Sequence, residues 1–229
     1  MIEAVIFDID GTIVDSVDLH AKAWQRTFSK FGKNILLEAI RSQIGKGADQ
    51  LLPVYFSNQE LEQFGEAMEI YRGELFKKEY LPRVKGFPRC VNCSNGSSRI
   101  RYKLPWPLQR KKTELKRYKE IAQIDDLIES ETSSDNVERS KPCPDIFEAA
   151  LKQLGNVTPD KVIVVGDTPY DAEAAAKANV NSIGLLSGGW TQHQLRRAGC
   201  IAIYRDPADL LARYEESPLV QPDVQNSSP

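Results

Sequence analysis

The apolar positions of this chain follow two rhythms. Short runs in which almost every residue is apolar mark buried strands, and longer stretches with apolar residues three and four apart mark helices. Val5-Ile6-Phe7 is the first buried run and Val162-Ile163-Val164-Val165 the second. Ser182–Leu186 and Ile201–Tyr204 predict further short strands, and another is expected near Leu127–Ser130. Helical spacing links Leu19, Ala23, Trp24, Phe28 and Phe31, with Asp15 or Ser16 placed to cap the start and Gly32 suited to the end. Similar patterns cover Leu36–Ile44, Gln50–Phe56 and Gln59–Glu79. Pro144-Asp145 opens a helix through Leu154-Gly155. Ala172–Ala178 is a helix of small residues, and Asp206-Pro207 starts a last one to Tyr214.

Strands alternating with helices predict an α/β fold, a doubly wound parallel sheet with a Rossmann-like core. The consecutive helices after the first strand break that alternation and predict an inserted α-helical cap. The expected boundaries are 1–15 and 83–214 for the core and 16–82 for the cap, with Leu81–Lys85 as the return hinge. Residues 215–229 are rich in Pro, Ser and Gln and are expected to form a disordered tail. Thr132-Ser133-Ser134-Asp135-Asn136 reads as a polar loop, and Gly188-Gly189-Trp190 as a turn.

Composition narrows the function classes. Of 229 residues, 41% are hydrophobic and 27% charged, an ordinary soluble balance. A net charge of −2 gives no case for a nucleic-acid or membrane partner. No apolar run reaches membrane-spanning length, and the chain opens into its first strand without a signal peptide, so a cytoplasmic location is expected. Cys90, Cys93, Cys143 and Cys200 are then expected as free thiols.

Candidate chemistry sits where the strands end. The first run closes in Asp8-Ile9-Asp10-Gly11-Thr12, and alternation along an extended backbone puts Asp8 and Asp10 on one side. Two acids that repel and lose water need a cation or a proton. The functional reading is a magnesium site with one carboxylate available to attack an electrophile. The bland reading is a strand ending in a turn, since Asp, Gly and Thr are common turn residues. The second run closes in Gly166-Asp167, with Asp171 four residues on, and Lys141 stands before a helix start in Ser140-Lys141-Pro142-Cys143-Pro144-Asp145. Alone, Asp167 is a turn residue, Lys141 a surface lysine and Asp171 a helix N-terminal acid. Their order and types together carry the functional reading.

The series Asp-x-Asp-Gly-Thr, Lys-Pro-x-Pro and Gly-Asp-x-x-x-Asp resembles the haloacid dehalogenase-like hydrolase superfamily, in its phosphoglycolate phosphatase and β-phosphoglucomutase branch. The resemblance covers residues 1–85 and 111–214. It implies a Mg2+-dependent phosphatase of a small phosphorylated metabolite, with a cap that closes over the site and excludes water. A sugar-phosphate mutase of the same branch is the second reading. A dehalogenase fits less well, since Asp10 and Asp167 have no clear purpose without a metal. Neither nucleic acid nor membrane is implied as a partner, and a monomer or weak homodimer is expected.

Attack on a phosphate ester needs a nucleophile, charge neutralisation and an acid for the leaving group. Asp8 is assigned as the nucleophile. Asp10 is the acid that protonates the leaving alcohol and then the base for the hydrolytic water. Lys141 offsets negative charge. Magnesium is assigned to Asp8, the Asp10 backbone carbonyl and Asp167, with Asp171 orienting a bound water or binding directly. Gly11 and Thr12 are expected to present N–H groups to phosphate. The resemblance makes Gly45-Lys46-Gly47 the substrate-reading loop of the cap; the bland alternative is a helix-helix turn. His20 and His193 have no evident partners and are expected to be structural.

Residues 86–110 depart from the family. They show no helical or strand period, and Pro105 and Pro107 oppose a central strand. The resembled fold needs a helix here, its second core strand, and a Ser or Thr that holds the transferring phosphoryl group. Synonymous codons for Leu104–Arg110 exist that, in a shifted frame, read Ile-Ala-Leu-Ala-Ser-Ser-Ala, a buried strand ending in serines. Upstream the same shift gives Arg-Glu-Leu-Phe-Glu-Arg-Ile-Lys-Gln-Asp, an amphipathic helix. The segment therefore reads as a compensated frameshift, with the normal helical pattern resuming at Lys111. Taken literally, the chain lacks the motif serine, and a catalytically impaired, non-enzymatic chain is the reading from another class. Cys90-x-x-Cys93 as half a metal site has no completing pair, and the basic run from Arg99 to Lys119 is balanced by acids elsewhere.

Overall fold

The structure, a computed structural model, describes residues 2–87, 101–106, 117–118, 120–122, 130–133 and 138–220. The chain opens with β1 (Ala4–Phe7) and β2 (Val14–Asp15). Helices α1 (Val17–Lys30), α2 (Leu37–Arg41), α3 (Ala48–Leu51) and α4 (Asn58–Leu75) come next, then β3 (Lys85–Gly86). After β4 (Arg101–Trp106) and β5 (Ser130–Ser133) the chain alternates regularly. The order is α5 (Asp145–Leu154), β6 (Val162–Gly166), α6 (Pro169–Lys177), β7 (Asn181–Leu185), α7 (Gln192–Ala198), β8 (Cys200–Tyr204) and α8 (Pro207–Ala212).

Six strands make one parallel sheet in the order β5-β4-β1-β6-β7-β8. From β1 the chain builds one way to β4 and β5, then returns to the other side of β1 for β6, β7 and β8. The β1/β6 boundary is therefore the switch point of the sheet, where open parallel sheets place their ligands. Both faces are covered, which explains the unbroken apolar runs. Ala4, Ile6, Val162 and Val164 pack on one face with Phe147 and Ala150 of α5 and Ala174 of α6. Val5, Ile163 and Val165 face the other way with Ile183, Leu185 and Leu210. The small residues expected in α6 let that helix lie close to the sheet.

Between β2 and β3 the described chain is helical and has a core of its own. Val17, Trp24 and Phe28 of α1 pack with Ile40, Leu51, Phe56 and Met68. Phe28 is fully buried against the rings of Trp24, Tyr55 and Phe56, at 5.5, 5.4 and 5.1 Å between centroids. The two passages between sheet and cap pair with each other as antiparallel β2 and β3. α4 ends in a π-helical turn, Phe76–Tyr80; such turns recur at functional sites.

Three expectations are corrected. Residues 101–106 do form a strand: β4 lies between β1 and β5, with Pro105 opposite Thr132. A ladder is made by the backbone, and a proline removes only one donor from it, so the missing side-chain period did not exclude the strand. The position of the family's motif serine, just beyond β4, lies outside the described residues, as do the two cysteines Cys90 and Cys93. β5 starts at Ser130 and takes in Thr132 and Ser133, which read as loop because they are polar. In the described part of the expected tail, residues 215–220, Ser217 and Leu219 are buried and Leu219 joins the Val5 face of the sheet.

Candidate active site

The site lies past the C-terminal ends of β1 and β6, neighbours in register from Ala4↔Val162 to Phe7↔Val165. That pairing carries Asp8 and Asp167 out of the sheet side by side. Carboxylate oxygens of Asp8, Asp167 and Asp171 lie within 4.8 Å of one another. Lys141 reaches between them, with Nζ donating to Asp8 Oδ1 at 2.6 Å and to Asp171 Oδ1 at 2.7 Å. Asp171 is held by its own helix start. Thr168 caps α6, and its N–H and hydroxyl both donate to Asp171 Oδ2, at 3.1 and 2.6 Å.

Burial governs the electrostatics. It pushes the Asp8 carboxyl up to about 6, with Lys141 opposing and Asp171 and Asp10 adding to the rise. Burial also raises Asp167 well above the usual carboxylate range, helped by Asp171 and Asp8. For Lys141, burial alone would favour the neutral amine, but Asp171 and Asp8 hold the ammonium. Three acids against one lysine leave two negative charges when all are ionised.

Asp167 Oδ2 is buried and, among the described residues, has no hydrogen-bond partner. Two glycines press on it: a Cβ on Gly11 would stand 2.2 Å from this oxygen and one on Gly188 2.1 Å. A buried acceptor with no donor among the described residues, on a member of a doubly negative cluster of hard oxygens, fits a divalent cation of the magnesium type.

Asp10 is separate from that cluster. Its Oδ1 accepts from Ser16 Oγ at 2.6 Å and meets His20 Nε2 at 2.8 Å. Ser16 is the residue before α1, yet its hydroxyl makes no cap bond and serves Asp10 instead. His20 is buried, stacked on Phe76 at 4.0 Å, and its Nδ1 is bonded by Arg72. Arg72 offers only donors, so Nδ1 accepts, and the ring proton lies on Nε2, facing the Asp10 carboxylate. The Tyr118 hydroxyl lies 3.3 Å from the same nitrogen. His20 is thus in the site and not merely structural. Its signal was present: Ser16 and His20 are four apart at a helix start, on one face. His193, at the exposed start of α7, lines no part of the site.

A cavity of about 760 Å³ opens above Asp8, Asp10 and Lys141. Gly45, Lys46 and Gly47 line it, so these expected residues do come together with the acids. The glycines act less on a ligand than on the core. A Cβ on Gly45 would meet Thr168 at 2.8 Å, and one on Gly47 would meet Ser140 Oγ at 2.0 Å. Lys46 Nζ donates to Gln43 at 2.6 Å and lies 4.8 Å from the Tyr170 ring. Gly11 and Thr12 do not offer N–H groups to phosphate as expected. The Gly11 N–H donates to Val14 O at 2.7 Å and that of Thr12 to Ile9 O at 3.2 Å, closing the turn. Thr12 instead donates its hydroxyl to Asp167 Oδ1 at 3.2 Å.

The sequence model of the haloacid dehalogenase-like hydrolase family matches residues 5–185, from β1 through β7. The chain belongs to that family. A "phosphorylated carbohydrates phosphatase" of Thermotoga maritima is 29% identical over 215 residues, covering 91% of this chain and 96% of the relative. A "phosphoglycolate phosphatase" of Aquifex aeolicus is 25% identical, over 80% of this chain and 84% of its own length. Among solved structures, a hydrolase from Pseudomonas syringae superposes with a TM-score of 0.78 at 24% identity, covering 93% of this chain and 98% of that one. In this haloacid dehalogenase-like hydrolase the residues brought together are Asp8, Asp167, Asp171 and Lys141 on the floor, with Asp10 beside them under the cap.

Proposed function

We propose that this chain hydrolyses the phosphate monoester of a small metabolite by a magnesium-dependent route through an aspartyl-phosphate on Asp8. The observation that carries the reading is the cluster of Asp8, Asp167 and Asp171 around Lys141, with Asp167 Oδ2 buried and without a partner among the described residues. The names of the relatives support phosphate esters as the substrate class.

Asp8, Asp167 and Asp171 are the side chains that would hold the cation, which when bound neutralises charge on the phosphoryl oxygens. Asp8 attacks phosphorus as the ester oxygen leaves, and Asp10 supplies that oxygen with a proton. Asp10 then takes a proton from the water that attacks phosphorus and frees Asp8. His20 and Ser16 fix the Asp10 carboxylate for both transfers. Lys141 holds Asp8 in place and adds positive charge where negative charge builds. The cap residues over the cavity keep other water away.

A sugar-phosphate mutase would use the same floor but needs cations at the cap end to retain a second phosphoryl group. Lys46 and Arg72 line the cavity at that end, and the names of the relatives favour hydrolysis. The test is turnover of an aryl phosphate in magnesium and in chelator. Turnover restored by Mg2+ alone supports the phosphatase. No turnover from folded protein favours the impaired chain without its motif serine.

A further inference from the structure

The passage from α2 into α3 rests on the loops that carry the floor. The Tyr170 hydroxyl, next to Asp171, donates to Ser42 O at 2.6 Å. Asp49 Oδ2 accepts from the backbone N–H of Ser140 at 3.0 Å. Ser140 precedes Lys141, whose Nζ donates to both Asp8 and Asp171. The Asp49–Ser140 bond is anchored at both ends. Asp49 lies in α3, seated by Leu51 and Leu52 in the core of the cap, and Gln50 donates to the same oxygen at 2.9 Å. On the other side the Cys143 N–H donates to Ser140 O at 3.0 Å, closing the turn that holds Lys141. Gly47 leaves room for this approach, since a Cβ there would stand 2.0 Å from Ser140 Oγ and 2.6 Å from Asp49 Oδ1.

Resting on the phosphatase reading, we infer that Asp49 is a positioning residue for Lys141. Its bond to the Ser140 N–H fixes the backbone from which the lysine reaches Asp8 and Asp171, and ties that reach to the seating of the cap. Lysine is a point charge on a flexible stem, so its place between two acids depends on where its backbone begins. Two other side chains tie this turn, Lys177 to Pro142 O at 2.8 Å and Arg139 to Asp145 at 3.3 Å, and both bonds are exposed. Exposed contacts hold weakly, whereas a carboxylate accepting a part-buried backbone N–H is a strong, directed bond. Without it the turn shifts and the ammonium is misplaced where negative charge builds in the reaction. The groups around the leaving group stay in place, so the loss falls on kcat and not on KM.

Two variants separate the bond from the charge. Asp49→Ala removes both, while Asp49→Asn keeps an oxygen that can accept from Ser140. The first readout needs no turnover: acetylation of lysines by N-acetoxysuccinimide, mapped residue by residue by mass spectrometry. The Lys141 side chain is 16% exposed and paired with two acids, so it reacts slowly in the wild-type chain. Asp49→Ala should speed its labelling at least about fivefold, with Lys161, paired with Glu3 before the start of β6, unchanged as the internal reference. Asp49→Asn should label as wild type does. Gly47→Ala, which parts the same bond with Asp49 in place, carries the same expectation as Asp49→Ala and serves if that variant does not fold. On an aryl phosphate Asp49→Ala should lower kcat about tenfold at nearly constant KM, with Asp49→Asn recovering most of the loss. Lys141 labelling equal to wild type in Asp49→Ala, or equally raised in Asp49→Asn, overturns the inference, and so does a loss confined to KM. Failure of the phosphatase reading shows separately, as the expected labelling in a folded wild-type chain that hydrolyses no aryl phosphate.

Discussion

The floor and the roof of the cavity are built on different principles. On the floor, Asp8, Asp167 and Asp171 leave strand ends or a helix start whose positions are fixed by the sheet, and Lys141 ties two of them together. On the roof, Asp49, Glu69 and Arg72 project from helices whose core is separate from that of the sheet. The sheet gives the reacting groups one geometry. The helices give a wall whose side chains, Asp49 apart, can change without disturbing that geometry. In the proposed function the floor carries the phosphoryl transfer and the roof lines the space for the leaving group.

Floor variants should break the enzyme outright. Asp167→Asn keeps the shape but removes a charge beside the buried oxygen, and is expected to cost on the order of 10³-fold in kcat, with magnesium dependence weakened. A magnesium titration of turnover checks it. Lys141→Ala leaves Asp8 and Asp171 buried without their counter-charge. Its expected loss is about 10²–10³-fold in kcat, measured at saturating substrate.

Substitutions between floor and roof should act more mildly. His20→Ala frees the Asp10 carboxylate from one of its anchors and should lower kcat roughly 10–100-fold for alkyl phosphates. Aryl phosphates, whose leaving groups need little proton help, should be nearly unaffected, and the ratio of the two rates is the readout. Gly47→Ala puts a methyl where Ser140 Oγ now lies. Moving the cap away from the loop that carries Lys141 should raise KM and lower kcat together, by about tenfold.

The smallest effect is on stability. Asp8 has its carboxyl raised to about 6 in the fold, above the value it has in an unfolded chain. Between those values the folded state holds the extra proton, so this group's contribution to stability falls as pH rises through about 4 to 6. In chelator, Asp8→Asn should therefore melt higher relative to wild type at pH 7 than at pH 4. Thermal melts of both proteins at the two pH values measure the difference, and added magnesium should shrink it.

How much of this was legible in the sequence follows from the same division. Asp8, Asp10, Asp167 and Asp171 were readable because each follows an apolar strand or helix start at a fixed short spacing. The parallel sheet and helical cap were readable from the change of period after Asp15. Roof residues were not, because Asp49, Glu69 and Arg72 sit on helical patterns where a polar residue ordinarily means solvent. His20 hid for the same reason, although its spacing from Ser16 pointed inward. Gly11 stood out in the motif, but its N–H closes a turn instead of meeting phosphate, and its missing side chain makes room for Asp167. β4 was hidden by Pro105 and by its missing apolar period, which backbone pairing with β1 and β5 does not require.

The central claim is that Asp8 is the group phosphorylated during turnover. The most direct measurement is a rapid acid quench of the wild-type chain with an aryl phosphate and magnesium, followed by mass mapping, with Asp8→Asn alongside. The account predicts a phosphoryl group on the peptide that holds Asp8, present only with magnesium, and no turnover or labelling in Asp8→Asn. Turnover by Asp8→Asn at the wild-type rate, or a phosphoryl group on another residue, would contradict it.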